Sequence, residues 1–366
     1  MTANVVVCGT GFGRVYLRAL EAGGPDAPRG AGDLRLTGVL ARGSERSRAC
    51  AERAGVPLYT GPGQLPADTD IAVVAVYAGV NGGPGSELAR QLMERGVHVL
   101  QEGPLHHDEL AESLRVARRA GVVFRVSTHY VRVEPVRRFI AAARRLTARR
   151  PVLYADAACG LQVFYHLFDI LRLALGGLRP WSFEDARPTP VFHTLTGTVR
   201  DVPLTLRVQN QLNPSDPDNH AHLLHRITLG TDGGSLTLSD THGPLLWSPR
   251  PHFPSEERSL TRLEEAAAGH LDHAATTPLG DAAAPSYREV VGRLWPDAAL
   301  RALTELHEAV REGHHPLAEG HAQLAVSQAW RDAAVRLGPP ELTGTAAVRP
   351  IGAGELAGEP EVPRCT

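Results

Sequence analysis

The stretch Val5-Val6-Val7-Cys8-Gly9-Thr10-Gly11-Phe12-Gly13-Arg14-Val15-Tyr16-Leu17-Arg18-Ala19-Leu20 decides the fold. Three consecutive β-branched residues predict a short strand apolar on both faces, as a strand between two layers of helices reads. A glycine-rich turn follows. Beyond Gly13 the apolar residues Val15, Tyr16, Ala19 and Leu20 fall at helical spacing, so the segment reads strand, turn, helix. The amides and the positive dipole end of such a helix suit a pyrophosphate. Gly9, Thr10, Gly11, Phe12 and Gly13 are the expected contacts of a dinucleotide. A strict G-x-G-x-x-G would carry its third glycine at position 14, where Arg14 stands. On the motif alone, a tight turn in another α/β fold stays open.

The next strand narrows the choice. Leu34 to Leu40 runs into Ala41-Arg42-Gly43-Ser44-Glu45-Arg46-Ser47-Arg48. NAD-specific enzymes place an acid at the end of this strand for the ribose 2′-hydroxyl. Here small residues, hydroxyls and guanidinium groups gather instead, and they favour a 2′-phosphate. NADPH is therefore the expected cofactor, with Ala41, Arg42, Ser44 and Ser47 as contacts and Arg46 in reserve. Glu45 reads as a first-turn acid of the following helix.

Length predicts about two domains, and 43% hydrophobic residues suffice for ordinary cores. A net charge of -2 with interspersed signs points away from nucleic acid and anionic membranes. The four cysteines, Cys8, Cys50, Cys159 and Cys365, have no paired short spacing, so neither a zinc site nor a disulfide framework is expected. A first strand within five residues and no long apolar run lead to the expectation of a cytoplasmic protein.

Further along, Asp70 to Tyr77 reads as a third buried strand, with Tyr77 at its cofactor-facing end. The glycine cluster 78–85 and a helix capped by Ser86 follow. Val97 to Glu102 is the next strand, then a helix over 108–120 and a strand from Val122 to Ser127. This alternation predicts a Rossmann-type doubly wound parallel sheet over 1–127. Past position 130 the rhythm changes. Helices are expected over 134–146 and 161–175, with strands at 152–158, 191–199, 204–212, 222–229 and 235–238. An α+β domain with a large open antiparallel sheet over 128–340 results. It includes an irregular lid-like excursion at 249–285 and helices at 286–312 and 316–336, with an extended tail over 341–366. The pair His314-His315 lacks further spaced ligands, and no metal site is expected.

This plan resembles that of the glucose-fructose oxidoreductase-like (Gfo/Idh/MocA) dehydrogenases over nearly the whole chain. The signatures are altered: Glu102-Gly103-Pro104 stands where the family has E-K-P, and Gln162-Val163-Phe164-Tyr165-His166 where it has D-x-x-x-H. The wording Gly9 to Gly13, Ala41 to Ser44, Leu100-Gln101-Glu102 with Pro104-Leu105-His106, and Tyr165 to Leu171 resembles the thiazolinyl imine reductases of siderophore biosynthesis. The resemblance implies NADPH-dependent reduction of a thiazoline C=N to a thiazolidine, on an intermediate tethered to a nonribosomal peptide synthetase carrier domain.

Reduction of an imine needs a proton donor near nitrogen. In the sugar-oxidising relatives the E-K-P lysine serves at the substrate hydroxyl, and in the thiazolinyl imine reductases a histidine usually fills that slot. Gly103 can do neither, so either it makes room for a bulky substrate or the proton comes from elsewhere. The family position of a reactive tyrosine falls on Tyr130, and a phenol is protonated at neutral pH. His129 is adjacent but would point away if the strand continued. Family position also places His166 on a helix facing the nicotinamide, sharing a polar face with Gln162 and Asp169. His106 and His107 follow the Gly-Pro turn and read as capping or loop residues, with reach to the substrate past the bare Gly103 as the alternative. Glu102 is expected to brace the turn or the nicotinamide ribose, with nothing in the sequence to raise its pKa, and Gly103-Pro104 is a candidate cis peptide. A sugar or cyclitol dehydrogenase and a non-catalytic NADPH-binding sensor are the competing functions. An open sheet face leads to the expectation of a homodimer.

Overall fold

The computed structural model describes residues 2–21, 31–77, 83–216, 219–252, 269–313, 317–344 and 349–356. The glycines at 79 and 82, part of the expected excursion (253–268), His314-His315, Cys365 and the end of the expected tail lie outside these.

The first domain is a six-stranded parallel sheet in the order β3-β2-β1-β4-β5-β6. Its strands are β1 (Ala3–Cys8), β2 (Leu34–Leu40), β3 (Leu58–Tyr59), β4 (Ile71–Val74), β5 (His98–Glu102) and β6 (Phe124–Ser127). Val5, Val6 and Val7 are fully buried because β1 pairs with β2 on one side and β4 on the other. Between β1 and β4 the strand order reverses, which opens the crevice where such sheets bind ligands. Four helices belong to this half: α1 (Gly13–Glu21), α2 (Glu45–Arg53), α3 (Pro84–Glu94) and α4 (His107–Ala120). Ser86 is not the cap of α3. Pro84 starts the helix two residues earlier, Gly83 is the cap residue, and Ser86 is buried at 3.3 Å from Gln101 Nε2.

The second domain contains α5 (Glu134–Thr147), β7 (Tyr154–Gly160) and α6 (Phe164–Leu175), the last preceded by a 3-10 turn at Leu161–Val163. The strands β8 (Trp181–Phe183), β9 (His193–Val199), β10 (Val202–Gln209), β11 (Gln211–Leu212), β12 (His225–Thr231), β13 (Gly234–Leu238), β14 (Leu245–Pro249) and β15 (Thr277–Pro278) follow. Eight of them form one sheet in the order β15-β14-β13-β12-β7-β10-β9-β8. The sheet is mixed rather than wholly antiparallel, since β10 runs parallel to β7. One face is packed by α5 and α6. The opposite face presents Asp156, Thr205, Arg207, Arg226 and Thr228 in a shallow hollow.

The expected helix over 286–312 is a composite. A short α7 (Tyr287–Glu289), capped by Ser286, passes through a π-turn at Val290–Leu294 into α8 (Trp295–Arg311), and α9 (Leu317–Leu337) follows. Ala299, Leu300, Leu303 and Leu306 of α8 join the core beside Tyr16 and Leu17 of α1. The chain therefore returns to cover the first sheet, and α8 packs with the nucleotide half despite its place in sequence. Among the described residues no helix is long and apolar enough to cross a membrane.

Candidate active site

The glycine turn has the geometry a pyrophosphate requires. Gly9 adopts φ +91, and a Cβ there would lie 2.6 Å from the Ala75 carbonyl oxygen. A Cβ on Gly11 would meet nothing within 4 Å, so the backbone faces open space there. At Gly13 it would lie 3.1 Å from Val7 Cγ1, which marks the close contact of helix and strand. Gly13 thus does the packing work of the missing third glycine, and the exposed Arg14 turns its Nε to the Gly11 carbonyl at 3.1 Å. These residues fit a dinucleotide.

At the end of β2, Ala41 is half-buried, while Arg42 and Ser44 are exposed. Ser44 caps α2 by accepting from the Ser47 amide at 3.3 Å. Ser47 is buried and donates its hydroxyl to the Ser44 carbonyl at 2.8 Å. Both hydroxyls serve the cap, with Ser44 Oγ 3.2 Å from Ser47 Oγ, but only Ser47 is buried, so Arg42, Ser44 and Arg46 are the residues that face solvent here. Tyr77 beyond β4 is 72% exposed.

Glu102, at the end of β5, sits on a polar bed. The buried Tyr16 hydroxyl donates to Glu102 Oε1 and lies 2.9 Å from Ser127 Oγ. Burial pushes the Glu102 carboxyl up to about 7, against the lowering effects of Tyr16, Ser127 and Arg132. No local feature around Glu102 foretold such a shift; its cause is the closing of α1 and β6 over the strand end. A raised acid favours folding in its protonated form. Stability from this group is therefore greatest below the ordinary carboxyl range and is lost as pH rises through about 7. Glu102→Gln is expected to gain about 1–2 kcal/mol at pH 8 relative to pH 5. Thermal unfolding at the two pH values checks this, and an equal change at both contradicts it.

Gly103-Pro104 is cis. A Cβ at Gly103 would stand 3.0 Å from Tyr165 Cε1, so the space that an E-K-P lysine would leave through is taken by the Tyr165 ring rather than left for a substrate. Tyr165 is fully buried, packs edge-on to Trp330 at 5.5 Å and reaches Gln323 Oε1 at 3.3 Å. All 38 basic side chains of the protein are arginine, so no lysine from elsewhere replaces the missing one.

Next to this turn the strand ends at Ser127, where it was expected to end, and a 3-10 turn at His129–Arg132 follows. It brings both His129 and Tyr130 inward, contrary to the alternation expected of a strand. Tyr130 stands perpendicular to His166 and His129, with centroids 5.1 and 5.5 Å away, and 5.1 Å from His225. Trp295, delivered by the π-turn, closes the cluster against His129 at 5.8 Å and Phe12 at 6.1 Å. Its Nε1 donates to His242 Nε2 at 3.2 Å. Burial pushes His129 down to about 3 and His166 down to about 4, so both imidazoles are neutral. Neither nitrogen of His129, nor Nδ1 of His166, nor the Gln162 amide finds a hydrogen-bond partner among the described residues. Buried polar atoms left in this way mark a place for a ligand's polar groups. Asp169 does not share the site. It accepts from Thr128, from Arg172 Nε at 2.6 Å and from Gln323 Nε2 at 3.2 Å on the far side of α6.

Residues 3–128 match the family model of the Gfo/Idh/MocA oxidoreductases with an NAD-binding Rossmann fold, and residues 149–248 match the C-terminal domain of Irp3-like thiazolinyl imine reductases. The chain belongs to the Gfo/Idh/MocA oxidoreductases. No curated protein matches it. Among solved Gfo/Idh/MocA-like structures, an oxidoreductase from Agrobacterium radiobacter in complex with NAD+, L-tartaric acid and magnesium is 14% identical. The match covers 91% of this chain and 95% of that one, with a TM-score of 0.65. A 3-ketoreductase from Actinomadura kijaniata in complex with TDP-benzene and NADP, in its open conformation, is 18% identical. It covers 93% and 99% of the two chains, with a TM-score of 0.65. UDP-N-acetylglucosamine 3-dehydrogenase from Acidithiobacillus ferrooxidans is 16% identical over 92% and 98%, with a TM-score of 0.63. At such identities these likenesses concern the fold.

In this Gfo/Idh/MocA oxidoreductase, Tyr16, Tyr165, His225, His242 and Trp295 escaped sequence reading. Their signal is spatial: each meets its partner across at least 50 residues of chain or from another domain. The lack of lysine was the one feature open to a simple count.

Proposed function

We propose that this oxidoreductase uses NADPH to reduce a thiazoline C=N to a thiazolidine, on a siderophore intermediate held by a nonribosomal peptide synthetase carrier domain. The observation that carries the reading is the filling of the Gly103 position by Tyr165 beside Tyr130 and a neutral His166. The sugar-oxidising relatives use a lysine at the substrate hydroxyl, and this chain has none. The match of residues 149–248 to the imine reductase domain supports the same conclusion.

Gly9, Thr10, Gly11, Phe12 and Gly13 would hold the pyrophosphate, Ala41, Arg42 and Ser44 the adenosine phosphate, and Glu102 the nicotinamide ribose. When bound, the nicotinamide supplies a hydride to the imine carbon. Tyr130 gives its phenolic proton to the nitrogen. His166, kept neutral by burial, positions the phenol without placing a competing positive charge beside the imine. Trp295 and Phe12 exclude water from this side. The polar sheet face of β7, β10 and β12 is offered to a second copy, giving a cytoplasmic homodimer.

A sugar or cyclitol dehydrogenase is the second reading, because the solved structures of similar fold include a UDP-N-acetylglucosamine 3-dehydrogenase. Cofactor preference tests the proposal. The kcat/KM ratio is expected to favour NADPH over NADH, and Arg42→Ala is expected to reduce that ratio roughly tenfold through loss of a charge-assisted bond. Equal use of both cofactors by the unaltered enzyme contradicts it.

A further inference from the structure

Behind the turn that carries His129 and Tyr130 lies a cleft of about 560 Å³, bounded by α5, α6, α8 and α9. Five arginines line it, Arg125, Arg132, Arg137, Arg144 and Arg172, against three carboxylates. The carboxylates are already engaged. Glu305 Oε2 receives Arg132 Nε at 3.1 Å and Nη2 at 2.7 Å, with Arg125 Nη2 at 3.8 Å. Asp169 is held by Arg172, Gln323 and Thr128, and Glu319 takes Arg172 Nη2 and Gln323 Nε2, each at 3.3 Å.

Two guanidinium groups are left over. Arg137 and Arg144 stand two turns apart on the exposed edge of α5, roughly 10 Å along its axis. Among the described residues neither has a carboxylate within ion-pair reach. Arg144 spends only its Nε, on the Leu173 carbonyl at 2.9 Å, so its outer fork is open. The crowding is registered in the charges themselves. Burial and repulsion from Arg132 lower the Arg125 guanidinium, and burial and repulsion from Arg301 lower that of Arg137, in both cases against the pull of Glu305. An anion placed among them would relieve both repulsions.

We propose that this cleft binds a dianionic phosphoryl group, gripped by the forks of Arg137 and Arg144 with Arg132 and Arg172 behind them. Planar guanidinium forks match phosphate oxygens in pairs, and two guanidinium groups not held in an ion pair match a dianion. The cleft shares no residue with the glycine turn or the Arg42 loop, so it is a second anion site and not part of the dinucleotide site. Its floor contains Thr128 and Val131, which flank His129 and Tyr130, and Asp169, one turn from His166. An occupied cleft therefore ties together the two elements that carry the reacting cluster.

Thermal unfolding of the full chain with increasing inorganic phosphate, against chloride at matched ionic strength, tests the site. The unaltered protein and Arg42→Ala are expected to show the same saturable rise in Tm. In Arg137→Ala and Arg144→Ala the midpoint of that rise is expected to move to roughly tenfold higher phosphate or beyond. Both side chains are exposed, and Arg144→Gln serves as a second variant that keeps the bulk. No saturable rise in the unaltered protein overturns the proposal. So does a rise that persists unchanged in the Arg137 and Arg144 variants, or one that disappears in Arg42→Ala.

Discussion

Tyr130→Phe is expected to lower kcat by about 10²–10⁴-fold, the range that a positioned general acid contributes, while the affinity for NADPH stays unchanged. The change removes one oxygen from a ring that is already buried and packed against His129, His166, His225 and Trp295. The ring contacts survive, so the dinucleotide turn keeps its shape and the loss falls on turnover rather than on cofactor binding. Neutral His166 and His129 are poor substitutes, since burial has pushed them to about 4 and about 3 and neither carries a proton to spare near neutral pH. Stopped-flow or steady-state oxidation of NADPH, paired with a fluorescence titration of the cofactor, separates the two effects. Unchanged turnover removes Tyr130 from the mechanism.

Gly103→His, which restores the residue type of the related imine reductases, is expected to cost about 1–3 kcal/mol of stability and to bring no gain in rate, as overpacking of a filled site does. The new Cβ would press on Tyr165 Cε1 at 3.0 Å. Tyr165 cannot swing aside freely, because Trp330 and Gln323 hold it. Its displacement also disturbs His166, whose centroid lies 5.7 Å away. Thermal unfolding with turnover measured on the same preparation checks this. A faster and equally stable variant would show that the glycine had merely removed a proton donor.

What the sequence revealed follows from how local each feature is. The strand, turn and helix from Val5 to Leu20 are contiguous, and each residue's neighbours in sequence are its neighbours in space, so hydrophobic period and glycine spacing were enough. The same holds for the arginine loop after β2, apart from Ser47, whose hydroxyl was drawn into the α2 cap. The end of the strand at Ser127 was legible, but the 3-10 turn that follows was not, and it is this turn that buries His129 beside Tyr130. At Ser86 the neighbouring Glu87 imitates a helix start that Pro84 had already made. The candidate site was visible only in part. The Tyr16–Glu102 bond, the Tyr165 ring over Gly103 and the approach of Trp295 join residues 62 to 283 positions apart. Such contacts are set by how α1, α6 and α8 pack, and no window of sequence contains them. Placing α8 on the first sheet is the same kind of miss, because an amphipathic helix does not announce which core its apolar stripe will join.

The central claim is that this site delivers a hydride and a proton to C=N rather than removing them from an alcohol. The most direct measurement follows the cofactor absorbance of the purified protein with a thiazoline thioester and NADPH, and in parallel with a panel of polyols and sugars and NAD+ or NADP+. Consumption of one NADPH per thiazolidine formed, with no oxidation of the polyols, is the predicted result. Oxidation of a sugar or cyclitol with the thiazoline left untouched would contradict it.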